Sequence, residues 1–221
     1  ISVTGVQTCA LPIYTFAEVA PNKDILILIT GDGRTGSLLT ESKVGKIAFT
    51  GSTTTAKKVA ETCAKSMTPV VLECGGKDPV LVDRDADLEL AAEYTTWSAM
   101  SNAGQSCIGA ERVYVHQDVA EQFINLVVRN AKTLKPGKNY GAMTMPKQIE
   151  VVRRHVTDAI NSGAKAMLGG VESVGDRFIE PVVIVDVPEF STAMTEETFG
   201  PTIAINKVSD MESAIELANA T

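Results

Sequence analysis

The sequence holds four cysteines, Cys9, Cys63, Cys74 and Cys107, but no C-x-x-C pair, and its two histidines, His116 and His155, stand alone. A zinc site needs thiol and imidazole ligands in clusters, so that class has little support. Clustered Lys and Arg are also missing: 20 basic against 27 acidic residues leave a formal charge of −7. That balance argues against nucleic acid and anionic membrane as partners. No apolar run nears the roughly 20 residues of a membrane-spanning helix, and Asp24-Ile25-Leu26-Ile27-Leu28-Ile29-Thr30 is far too short. There is no internal repeat and no low-complexity tract. What remains is an ordinary globular composition, 44% hydrophobic and 21% charged over 221 residues. It suffices for one large or two modest domains without disulfide staples. A chain in a reducing cytoplasm with a small-molecule ligand is expected.

The two ends read differently from the middle. Val3 to Ile13 has neither a basic start nor an extended apolar core, so it makes a poor signal peptide. Its letters are similar to the translation of a common sequencing adapter, and genuine protein is expected to begin near Tyr14. At the other end a helical pattern from Asp210 runs into Ala218-Asn219-Ala220-Thr221 with no cap, so truncation is expected there as well.

From Tyr14 onward, strand-like and helix-like stretches alternate, the pattern of an α/β fold with a mainly parallel sheet. Strands are expected at 24–30, 46–50, 69–73, 79–82, 112–116, 165–168, 182–185 and 202–207. Helices are expected at 35–42, 52–66, 118–133 and 147–162. A long one opens on Asp85-Ala86-Asp87, where acidic residues suit the helix dipole, and a last one follows Asp210.

Four stretches carry candidate chemistry. Gly31-Asp32-Gly33-Arg34-Thr35-Gly36 satisfies G-x-G-x-x-G between a predicted strand and a helix, yet the acidic residue expected after the next strand is missing, since Phe49-Thr50 runs into Gly51-Ser52. A dinucleotide turn and a plain glycine-rich turn are both open. Thr50-Gly51-Ser52-Thr53-Thr54-Thr55 leads a strand into a hydroxyl-rich helix start, which serves either as a pyrophosphate cradle or as a simple N-cap. Glu73 closes an apolar strand just before Gly75-Gly76, where α/β enzymes place a general base and other proteins an ion pair. Cys107 follows Ser101-Asn102-Ala103-Gly104-Gln105-Ser106, whose small residues supply backbone N–H groups cheaply. It is a nucleophile or a core filler.

Taken together, Thr50-Gly51-Ser52, Leu72-Glu73-Cys74-Gly75-Gly76-Lys77, Asn102-Ala103-Gly104-Gln105-Ser106-Cys107 and Glu196-Glu197-Thr198-Phe199-Gly200-Pro201 make the chain resemble the NAD(P)-dependent aldehyde dehydrogenase superfamily. The likeness implies the end of a Rossmann-type cofactor domain over 14–73 and most of an α/β catalytic domain over 74–221. It implies Cys107 as the nucleophile that passes through a thiohemiacetal and a thioester, with Glu73 activating the water that releases a carboxylic acid. NAD or NADP is the implied cofactor. Gly51, Ser52 and Thr55 would hold the pyrophosphate, Gly33 would line the adenine side, and Glu197 and Phe199 would meet the nicotinamide ribose and ring. The parent enzyme is implied to be a homodimer or homotetramer acting on a small aldehyde. Arg112, Ser106 and Ile108 are candidate substrate contacts, and Cys74 is an inert neighbour or a disulfide partner for Cys107. Two alternatives stand beside this reading: an inactive fragment or non-catalytic homologue, and a coenzyme A-acylating enzyme, which Glu73 argues against.

Overall fold

The computed structural model of this protein describes residues 15–16, 18–22 and 26–221. The chain divides into two compact units, Ile1–Cys74 and Gly75–Thr221. In the first, α1 (Gly33–Glu41) is followed by β1 (Ile47–Thr50), α2 (Thr53–Ser66) and β2 (Val70–Glu73). The two strands pair in parallel, Ile47 with Val70 through Thr50 with Glu73, so both end on the same edge. A hydroxyl at the start and a left-handed residue at the end punctuate α2: Ser52 is its N-cap and Met67, at φ 55°, its C-cap. Those are the capping choices that satisfy a helix's orphan N–H and C=O groups.

The strand expected at 24–30 is not formed in its described part. Residues 26–30 have no ladder partner among the described residues, and Ile27 is 67% exposed. Aliphatic content alone does not make a strand, because the extended backbone needs a neighbour for its N–H and C=O groups. Residues 24 and 25 and the first thirteen, with the adapter-like reading placed on them, lie outside the described residues.

The second unit is built on a five-stranded sheet in the order β3 (Pro79–Val82), β4 (Arg112–His116), β7 (Thr202–Val208), β6 (Val182–Val185), β5 (Lys165–Leu168). All pairings are parallel except β5 with β6. The crossovers are helical: α3 (Leu88–Met100), α4 (Gln117–Lys132) and α5 (Pro146–Asn161), with the short α6 (Thr192–Thr195) before β7 and α7 (Met211–Ala218) after it. β4 and β6 are buried at every position, as expected of strands covered on both faces, which read as continuous apolar runs.

Alternation along these strands sorts side chains into two cores. Tyr114, Val182, Ile184 and Ala204 face α5 and its Val152 and Val156. Val113, Val115, Val183, Val185, Ile203 and Ile205 face α3 and α4, where Ala99, Phe123 and Val127 close the layer. Each fully buried aliphatic or aromatic side chain contributes about 1.5–3 kcal/mol, so the two faces together supply the driving force for this unit.

Arg112 departs from the apolar run and from the expectation placed on it. It is 2% exposed and donates to the carbonyls of Lys77, Leu217 and Ala218, to Tyr114 Oη and to Thr221 Oγ1. A buried guanidinium is thus spent on the last carbonyls of α7, where a helix dipole favours a cation, and does not offer itself to substrate. Arg112→Ala should lower the unfolding free energy by about 3 kcal/mol or more, given what hydrogen bonds to a charged group and their orphaned partners are worth. Urea titration of the pair checks this; a loss below about 1 kcal/mol would contradict it.

Candidate active site

Two helix starts in the first unit were candidates for a phosphate, and local chemistry separates them. At α1, Asp32 is the N-cap and its carboxylate accepts the Arg34 N–H at 2.9 Å. The helix begins at Gly33, earlier than expected, because this cap starts it there. An anion already occupies the positive end, and a Cβ added at Gly33 would meet only open space. The glycine pattern here is therefore a capped turn, with no close backbone approach at Gly33 among the described residues.

At α2 there is no carboxylate in the first turn. Ser52 Oγ accepts from the Thr55 N–H at 3.4 Å and donates to Thr55 Oγ1 at 3.0 Å. The Gly51 N–H goes to the carbonyl of Glu73 at 3.1 Å, and Ala56 makes the first helical bond to Ser52 at 2.9 Å. By helix geometry the N–H groups of Thr53 and Thr54 have no intrahelical acceptor and point out of the N-terminus. Uncompensated N–H groups and an unscreened dipole end suit a pyrophosphate. Ser52 is an N-cap as well, so the two readings of this stretch are compatible. Glu73 is exposed at the end of β2, on the same sheet edge as Gly51. It is a solvent-facing carboxylate.

In the second unit, Cys107 lies in a turn closed by the Gly109 N–H on the Ser106 carbonyl, 3.1 Å. Its thiol is free and exposed, and Ile108 beside it is 80% exposed. Cys63 and Cys74 are free thiols too. The backbone leading into the turn is under strain. Asn102, Ala103 and Gly104 take φ values of 53°, 60° and 69° in succession, although a left-handed residue other than glycine costs roughly 1–2 kcal/mol.

Side chains hold that conformation. Asn102 Nδ2 donates to the Gln105 carbonyl at 3.0 Å and Gln105 Nε2 returns a bond to the Asn102 carbonyl at 2.9 Å. Gln105 Oε1 accepts from Thr144 N–H at 2.8 Å. A Cβ on Gly104 would strike the carbonyl of Gly200, so the cysteine loop and the 197–201 loop pack backbone against backbone at the one residue with no side chain.

The second loop is anchored by groups the sequence reading did not single out. Glu111, 8% exposed, accepts from Thr198 N–H at 2.7 Å, Phe199 N–H at 2.8 Å and Lys77 Nζ at 2.6 Å. Lys77 Nζ also donates to Thr198 Oγ1 at 2.8 Å, and that oxygen lies 3.0 Å from His155 Nδ1. On the other side of the ring, Nε2 lies 3.3 Å from Glu196 Oε2 and 3.2 Å from the Arg154 guanidinium. Lys77, Glu196 and Thr198 stand in the motifs of the resemblance, while Glu111 was marked only by the charge pair Glu111-Arg112 at the mouth of an otherwise apolar strand.

Glu197 lies with its carboxyl against Gly75, where any Cβ would collide with Oε1. Burial raises its pKa above the ordinary carboxylate value, the negative charges of Glu111 and Asp78 add to the rise, and Lys77 opposes it. Phe199 has φ 52°, a further left-handed residue, in the loop that packs against the cysteine loop.

Two units with parallel strands, the second carrying a free thiol on a strained loop that packs against the 197–201 loop at Gly104 and Gly200, define an α/β protein. The chain belongs to the aldehyde dehydrogenase family, whose model matches residues 2–221. It is similar to the D-glyceraldehyde dehydrogenase (NADP(+)) of Picrophilus torridus, at 36% identity over 92% of this chain and 44% of the relative. Among solved structures it is similar to lactaldehyde dehydrogenase from Escherichia coli, with TM-score 0.92 and 32% identity over 97% of this chain and 47% of that one. The NAD-dependent aldehyde dehydrogenase from Sinorhizobium meliloti matches with TM-score 0.92 and 30% identity over 98% and 45%. The chain thus spans less than half the length of these relatives.

Burial, first, and then the charges of Lys77 and Arg154 hold His155 below its ordinary value of 6.5, against a raising pull from Glu196. The folded chain therefore refuses a proton that the unfolded chain accepts, and stability falls as pH drops below about 6.5 toward the lowered folded value. Urea midpoints should decrease from pH 6.5 to 5, and His155→Gln should flatten the slope in that window. An unchanged slope in that variant would show that another group titrates there.

Proposed function

We propose that the chain carries the nucleophile, the hydrolytic base and part of the cofactor cradle of an enzyme that oxidises an aldehyde to a carboxylic acid with NAD or NADP. The observation that carries this reading is the exposed Cys107 thiol, presented by three consecutive left-handed residues on a loop that packs against Gly200, next to Phe199 in the chain. Strain of this kind persists where the surroundings over-determine it, and such positions cluster at functional sites. The relatives' names support the reaction and both forms of the cofactor.

In the proposed sequence, Cys107 loses its proton and Sγ attacks the aldehyde carbon, giving a thiohemiacetal. The Cys107 N–H is one donor to the oxyanion, a contact worth roughly 3–4 kcal/mol of barrier where it has been removed in other enzymes. The nicotinamide, when bound, supplies the hydride acceptor. Loss of hydride from the adduct leaves a thioester on Sγ, and Glu73 takes a proton from the water that opens it, releasing the acid and the thiolate. The balance is aldehyde, water and NAD(P)+ to acid, NAD(P)H and a proton.

The residues present fit the cofactor. Gly51, Ser52 and Thr55 at the α2 start would hold the pyrophosphate on groups that no carboxylate has claimed, and Glu197 and Phe199 would receive the nicotinamide ribose and ring. Gly33 is kept only as a lining position, since Asp32 holds the α1 start. The ligand is a small aldehyde, and a homodimer or homotetramer in a reducing cytoplasm is the proposed working form. Glu73 favours hydrolysis over transfer to coenzyme A.

In the full-length protein, Cys107→Ala should abolish NAD(P)H production with aldehydes; turnover above about one thousandth of wild type would remove Cys107 as nucleophile, given what deleting one normally costs. Glu73→Gln should slow steady turnover while a first equivalent of NAD(P)H still forms rapidly. A folded variant without that burst would place Glu73 in an earlier step than hydrolysis.

A further inference from the structure

We infer that Glu111 is a positioning residue that fixes the loop carrying Glu197 and Phe199, and so sets the hydride-accepting end of the site; the functional part of this inference rests on the reading proposed above. Glu111 is buried and lies four residues beyond Cys107, at the entry to β4. Its two oxygens take the N–H groups of both Thr198 and Phe199, and Oε2 also takes the Lys77 ammonium. Two successive backbone amides converging on one carboxylate fix two peptide planes at once. The residue they fix is Phe199, whose φ of 52° the chain would not choose unaided.

The other side of the loop is fixed by the same ion pair. Lys77 donates to Thr198 Oγ1 as well as to Glu111, so Thr198 is held through its amide and through its hydroxyl. Glu197 then has little freedom: its carboxyl rests on Gly75, two residues before Lys77. The clamp also acts through charge. The Glu111 carboxylate lies close enough to Glu197 to favour its protonated form, and Lys77 pulls the other way.

A buried ion pair by itself need not stabilise a fold, and well-packed apolar replacements are often as stable. A merely structural role for Glu111 would therefore be met by a hydrophobic pair of similar volume. The positioning role would not, because only an acceptor can hold the two amides. An amide side chain is also a poor substitute: Glu111→Gln keeps one acceptor oxygen and turns an NH2 group toward donors.

The test compares wild type, Glu111→Gln and the double variant Lys77→Met/Glu111→Leu in the full-length protein, each first shown to melt cooperatively. Hydrogen exchange read by mass spectrometry on the 196–201 peptide, without cofactor, is expected to be at least tenfold faster in both variants, with α4 peptides within twofold of wild type. The NAD(P)H burst at saturating cofactor and aldehyde is expected to drop at least tenfold, while alkylation of Cys107 by iodoacetamide keeps its wild-type rate. Wild-type exchange at 196–201 in either folded variant overturns the clamp. A wild-type burst in the double variant overturns the positioning role. If wild type makes no NAD(P)H, the oxidation reading fails, and the exchange result still decides whether Glu111 holds the loop.

Discussion

Burying a carboxylate is costly unless every oxygen is paired, and the second unit is arranged around one that is. Glu111 sits at the entry to β4 and draws in Lys77, the amides of Thr198 and Phe199 and, through Thr198, the ring of His155. The sheet supplies the means: β4 and β7 are parallel neighbours, so the segments that enter them lie side by side. The cysteine turn precedes β4 and the 197–201 loop precedes β7. A single pairing of strands thus delivers the thiol and the proposed nicotinamide contacts to one edge, and Glu111 ties the second to the first. Gly104 completes the arrangement by leaving room for the Gly200 carbonyl.

The same logic of paired and unpaired polar groups separates the two helix starts of the first unit. Both show glycine and a capping residue, and only the identity of the cap distinguishes them. An aspartate cap fills its helix end with charge; a serine cap satisfies one N–H and leaves the dipole uncancelled. The G-x-G-x-x-G letters therefore point to the less suitable helix. The hydroxyl-rich letters, which carry no named fingerprint, point to the better one.

Much of the architecture could be read from residue order. The alternation of strand-like and helix-like stretches announced a mainly parallel sheet, and the strand expected at 182–185 has those bounds in the structure. Cap residues announced the helix starts at Ser52 and Asp210. The segment 24–30 has the same aliphatic richness, but strand formation depends on a partner that composition does not reveal. The left-handed turn at 102–104 was also invisible, since Asn and Ala adopt that region only where Gln105 and Gly200 hold them. Arg112 looked like a substrate-facing charge and Glu111 carried no reading, because nothing local tells that one caps a helix a hundred residues away and the other clamps a distant loop. Long-range partners, not local propensity, decided each of these.

The central claim is that Cys107 carries the acyl group between oxidation and hydrolysis. The most direct measurement is mass spectrometry of the full-length protein, acid-quenched within the first turnover with a simple aldehyde and NAD(P)+ and then digested. The account predicts the peptide containing Cys107 with the added mass of the aldehyde less two hydrogens, present only when the oxidised cofactor was supplied. NAD(P)H formation with Cys107 unmodified throughout, or the acyl mass found on Cys74 instead, would contradict it.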